Sequence, residues 1–77
     1  MEDAAALDAA ILAAHERQDA ENLAHLYHQA ALLKLAEGDL PAHGFLLTQA
    51  YVFALESGHC LSAELRDMLI QLGREAP

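Results

Sequence analysis

The stretch Glu37-Gly38-Asp39-Leu40-Pro41, in the middle of a 77-residue chain, constrains the fold more than any other feature. Gly38 suits the left-handed position that follows the last turn of a helix. Asp39 offers a carboxylate to the orphan amides that begin the next helix, and Pro41 falls in a first turn, where its missing N–H is harmless. One helix therefore stops and another starts within a few residues. Ser57-Gly58-His59 has the same logic, with His59 or Ser62 as the cap. Arg17-Gln18-Asp19 has no glycine and rests on Asp19. These three points cut the chain into four segments, and links this short force successive helices to run antiparallel. The spacing predicts helices over about 3–17, 20–37, 40–56 and 60–72, with a frayed tail at 74–77.

Helix is expected because Ala and Leu supply 17 and 15 residues, whereas Ile, Val and Thr, which pleated surfaces favour, total four. A chain of this length makes one domain and buries only about 60% of its unfolded surface. The expectation is a single all-α domain, a small bundle of four antiparallel helices stacked with a right-handed sense.

The faces of the segments differ. The first presents Ala4, Leu7, Ile11 and Ala14 as one stripe and keeps Asp8, Glu16 and Arg17 wet, the pattern of an edge helix. The second carries two adjoining stripes, Leu23/Leu26/Ala30/Leu33 and Ala24/Tyr27/Ala31/Leu35, enough for two neighbours. Between Phe45 and Leu55 the third is apolar nearly all round, which predicts a central helix surrounded by the others. The fourth sets Leu61, Leu65, Met68, Leu69 and Leu72 opposite Glu64, Asp67 and Gln71, and ends at Gly73. Ala30, Ala31, Ala50 and Ala54 read as the small residues that let helices cross closely.

Twelve acidic residues against four basic ones give a net charge of −8. Arg17, Lys34, Arg66 and Arg74 are scattered, so a phosphate-binding surface, and with it nucleic acid, is not expected. The acidic start Met1-Glu2-Asp3 lacks the positive region of an export signal. The greasiest segment, Gly44 to Leu55, is short of the roughly 20 residues a bilayer requires, so no membrane partner is expected. Cys60 stands alone and forms no internal disulfide, which fits a reducing cytoplasm.

A shift of 20 residues superposes Asp19 to Gly38 on Asp39 to Gly58 with six identities: Asp19/Asp39, Leu26/Leu46, Gln29/Gln49, Ala30/Ala50, Leu35/Leu55 and Gly38/Gly58. Two successive similar helices would produce this. Tyr27-x-x-Ala30-Ala31, then Gly38-Asp39, then His43-x-x-x-Leu47-x-x-Ala50 resembles a degenerate tetratricopeptide-type repeat over about 30 residues. It departs from the family pattern at Tyr27 (usually Trp), Ala30 (Leu), Lys34 (Tyr), His43 (Ala) and Leu47 (Phe), and no proline closes the unit after Leu55. The run Thr48 to Gly58 is similar to that of short bacterial proteins of uncharacterised function with this fold. The resemblance implies a protein-interaction scaffold without chemistry of its own.

Glu21, His25 and His28 fall at i, i+4 and i+7 and are the candidate metal ligands. A zinc site asks for four ligands and a supporting second layer, and Asn22 and Gln29 share this side, so a solvated polar face is the preferred reading and no metal or cofactor is expected. His43, His59 and Cys60 form a second candidate cluster if the helix ends fold back. Adjacent helical residues do not face one another, so His59 and Cys60 make no nucleophile–base pair. His15 stands near the end of the first helix, where an imidazolium would complement the terminal carbonyls, and a cap or simple exposure is expected there rather than catalysis. With no Ser-His-Asp or paired-carboxylate signature, the chain is not expected to be an enzyme.

The aromatic residues Tyr27, Phe45, Tyr51 and Phe53 read as core. An apolar patch around Phe45, Tyr51 or Met68, if left bare, is the candidate partner-binding surface, with a homodimer as one way of covering it. The expected function is a small non-catalytic interaction module or adaptor with an unidentified protein partner. The alternative is a metal- or pH-responsive regulator using the five histidines. A third expectation is a component of a larger complex, unstable alone.

Overall fold

The computed structural model describes residues 4–58 and 61–74. Four helices account for nearly all of them: α1 (Ala4–Glu16), α2 (Ala20–Ala36), α3 (Leu40–Ser57) and α4 (Leu61–Gln71), with no strand among the described residues. This is the expected all-α bundle of four packed helices.

The two inner helices begin alike. Asp19 sits at φ −93, ψ 80 and accepts from the Asn22 amide; Asp39 sits at φ −90, ψ 81 and accepts from the Ala42 amide, both at 3.2 Å. Each carboxylate thus satisfies one of the amides that a helix start leaves unpaired. The turns before them are also alike. Gly38 takes φ +80 and donates to Leu35 O at 3.0 Å, while the Asp39 amide reaches back to Lys34 O at 2.9 Å. In the first turn Gln18 takes φ +55, donating to His15 O at 3.0 Å, and the Asp19 amide reaches Ala14 O at 3.0 Å. The missing glycine is replaced by a strained glutamine, and the turn forms nonetheless.

Antiparallel packing follows from these short links. Leu7 and Leu33 line one depression while His15 meets Tyr27 farther along, so α1 and α2 run oppositely. His43 meets Ala31 and Phe53 meets Tyr27, so α2 and α3 do too. Leu47 shares a depression with Met68 and Leu40 shares one with Leu72, which sets α4 against α3 in the same sense.

The buried set is half alanine. Leu7, Leu23, Leu47, Leu65 and Leu69 fill space, and Ala14, Ala24, Ala31, Ala50 and Ala54 are closed off at helix crossings. Each buried leucine contributes about 1.5–3 kcal/mol by leaving water, and each alanine lets two backbones approach so that the leucines meet. Among the described residues one polar side chain is buried with them: His43, whose Nδ1 donates to the Ala31 carbonyl at 2.7 Å and ties α3 to α2.

The expectation that α3 is surrounded is corrected. Phe45, Val52 and Leu55 are 57%, 43% and 55% exposed. Each helix packs chiefly on its neighbours in sequence, so α3 holds α2 and α4 on one side and keeps an open flank on the other. On α2, Leu33 and Leu35 are likewise more exposed than their stripes implied. Seen as layers, α1 and α3 stand side by side over α2, and α2 and α4 side by side over α3. The molecule is flattened, with principal extents of 33 × 30 × 16 Å. Among the described residues no helix is long and apolar enough to cross a membrane.

Candidate functional site

The side-by-side placement of α1 and α3 leaves a groove with α2 as its floor. Three rings cross it. Tyr27 of α2 and Phe53 of α3 stack, with centroids 5.6 Å apart and planes 6° from parallel, and His15 of α1 meets both edge-on at 5.8 and 5.6 Å. His15 Nε2 and the Tyr27 hydroxyl share a hydrogen bond of 2.8 Å. Local structure explains the meeting. The end of α1 carries His15 across α2 just before the chain turns, and the α2–α3 hairpin brings Tyr27 level with Phe53. Offset-stacked and edge-on rings satisfy the aromatic quadrupoles, and the imidazole gives the phenol the partner a half-buried tyrosine needs.

The rings divide the groove into two depressions. One, of about 410 Å³, is lined by His15, Gln18, Ala20, Leu23, Phe53 and Glu56. The other, of about 380 Å³, runs past Ile11, Leu12, Tyr27, Ala30 and Leu46, with Asp8 and Lys34 at its margin. Leu12 is 63% exposed and overhangs the second depression. Ala30, expected at a helix crossing, instead forms a low point in the groove floor.

The nearby cations face carboxylates of their own chain. Lys34 Nζ lies 3.2 Å from Glu37 and Arg17 lies 3.8 Å from Asp19. Lys34 at the groove margin is thus balanced by a neighbouring carboxylate, and Asp8 and Glu56, both exposed, add two further carboxylates to the margins. Hydroxyls that could act as nucleophiles on α3 are turned to backbone: Thr48 donates to Gly44 O at 3.0 Å and Ser57 to Ala54 O at 3.2 Å.

The residues singled out from the sequence lie elsewhere or do other things. Glu21 and His25 are exposed, whereas His28 Nε2 is shut off from solvent with no hydrogen-bond partner. Among the described residues no three His, Cys, Asp or Glu side chains are grouped to hold a metal ion. His43 is a buried tie between helices, in the first turn of α3, about 20 Å of helix from Ser57 at the other end. His59 and Cys60, the other members of that candidate cluster, lie outside the described residues. His15, expected to serve its helix terminus, instead joins the ring cluster.

Phe45, Tyr51 and Met68 do not form one patch. Phe45 is on the open flank of α3, whereas Tyr51 and Met68 pack against the core. A second, smaller groove of about 240 Å³ runs between α2 and α4, lined by Leu32, Leu35, His43, Leu47, Met68 and Leu72 together with Gln71. Tyr27 and Phe53 do pack against the core, as the sequence suggests, but the sequence does not show that their rings also border a groove, nor that His15, expected as a cap or an exposed residue, meets them there. The hairpin symmetry signals the Tyr27–Phe53 stack, but the reach of His15 depends on how α1 is staggered against α2, which no residue pattern announces. No protein-family model, curated protein or solved structure matches the chain.

Proposed function

We propose that this chain is a small, non-catalytic protein–protein interaction module of tetratricopeptide-like build, acting in the cytoplasm and holding its partner in the α1–α3 groove. The observation that carries the reading is the groove itself: an apolar lining at Ile11, Leu12, Ala30 and Leu46 left open beside three packed rings. Open apolar surface rimmed by polar groups marks an interaction site in soluble proteins. The absence of a disulfide partner for Cys60 within the chain supports a reducing compartment.

Immobilised protein with Leu12→Ser and Ala30→Trp together, which strips and then fills the groove, is compared with the unaltered chain for proteins retained from native lysate. A partner held by the unaltered chain and lost from the variant is the expected result. Equal retention by both removes the groove as the binding surface.

A pH-responsive regulator is the second reading, favoured by one observation: His15 joins α1 to α2 and α3 through a ring nitrogen and two ring contacts. Imidazole is the side chain whose charge changes near neutral pH. Histidine and tyrosine NMR signals followed through acidification test it: an unaltered Tyr27 ring environment ends that reading. For the metal form of the reading, unperturbed His25 and His28 signals on adding zinc have the same force.

A further inference from the structure

We infer that the partner segment seated in the α1–α3 groove is a cationic amphipathic helix, an assignment that rests on the interaction reading above and gives it a chemical class. The shape of the groove argues for a helix. Its α1 wall presents Asp8, Ile11, Leu12 and His15, and its α2 floor Tyr27, Ala30 and Lys34, both at helical spacing, which form the ridges against which a third helix interdigitates. Ala30 lowers the floor between them, so a helix of ordinary diameter approaches the backbone of α2. Among the described residues there is no strand whose edge would receive an extended peptide instead.

Charge selects the sign of the partner. The chain carries −8, the groove margins hold Asp8 and Glu56, and the adjoining cations Lys34 and Arg17 already face Glu37 and Asp19. A second copy would bring a matching −8 to the same margins, so self-association through this groove is opposed by like charge. Leucines of the incoming helix would lie on Leu12, Ala30 and Leu46, and its lysines or arginines would reach Asp8 at one end and Glu56 at the other.

Two synthetic helices of about 14 residues with identical leucine spacing, one with lysine and one with glutamate on the polar face, test this against the intact chain. Affinity is read by fluorescence anisotropy and location by amide shifts. The lysine helix is expected to bind and to move the amides of Leu12, Ala30 and Leu46. Asp8→Lys with Glu56→Lys is expected to weaken it about tenfold, whereas Glu64→Lys with Asp67→Lys, the same charge change on exposed positions of α4, alters it no more than about twofold. Circular dichroism of each variant confirms that the helices remain.

Equal binding of the glutamate helix overturns the inference, as do equal losses in the two double variants, shifts confined to the α2–α4 groove, or no binding at all. Concentration-dependent dimerisation that moves the same groove amides also overturns it, in favour of a second copy. Each of these leaves the interaction reading to its own retention experiment, so the two fail separately.

Discussion

Gln18 does with a side chain what Gly38, Gly58 and Gly73 do without one: it holds a left-handed backbone at a helix end, φ +55 against +80, +66 and +76. A Cβ in that conformation costs about 1–2 kcal/mol, and glycine's greater freedom in the unfolded chain returns part of the difference. Gln18→Gly is therefore expected to stabilise the fold by up to about 1 kcal/mol, read as a rise of a few degrees in Tm, about 4–8 °C at the full value. An unchanged or lower Tm would show that the turn is not strained. This residue also marks where the sequence was hardest to read. The boundary was legible from Asp19, but nothing in a glutamine indicates that it will adopt a conformation glycine normally takes. His28 is a similar case: its polarity pointed outward, and its Nε2 is enclosed.

Among the elements, the α2–α3 hairpin holds the fold together, because its crossing is built from Ala24, Ala31, Ala50 and Ala54. Ala50→Leu pushes three heavy atoms into a closed contact, with an expected cost of about 1–3 kcal/mol by denaturant unfolding. Ala63→Leu, on an exposed position of α4, is expected to stay within about 0.5 kcal/mol. Similar losses from both would mean that the alanines are not a packing device. Helix number, direction and ends were legible because Gly38, Asp39, Pro41 and Gly58 act locally. The burial of α3 was not. An apolar circumference says that a helix lacks polar faces, not that enough neighbours exist to cover it, and a four-helix stack supplies too few for Phe45 and Val52. The candidate groove was hidden for the related reason that it belongs to no single element. Its lining comes from three helices, and of that lining only Ala30 and Leu46 are among the identities of the 20-residue repeat.

For the molecule as a whole, the acidic excess acts on stability as well as on partner choice. With nine carboxylates against four cations among the described residues, over a body only 16 Å through its short axis, the carboxylates repel across a thin core. Raising sodium chloride from low to physiological concentration shortens the screening length to about 8 Å and is expected to raise Tm. A Tm that falls over this range would place the dominant charges in attractive pairs. The ion pairs at Lys34–Glu37 and Arg17–Asp19 join partners three and two residues apart, and exposed pairs of this kind contribute little to set against the repulsion.

The pairing of each helix chiefly with the next in sequence bears on how the chain reaches this state. Few distant segments need to find one another, so little loop-closure entropy stands between the unfolded chain and its first stable contacts, and topologies of this kind fold in microseconds to milliseconds. The α2–α3 hairpin is complete once Ser57 has left the ribosome, before any residue of α4 has emerged. Its assembly can follow the order of its synthesis, with α1 waiting beside a floor that α2 builds and α4 closing last.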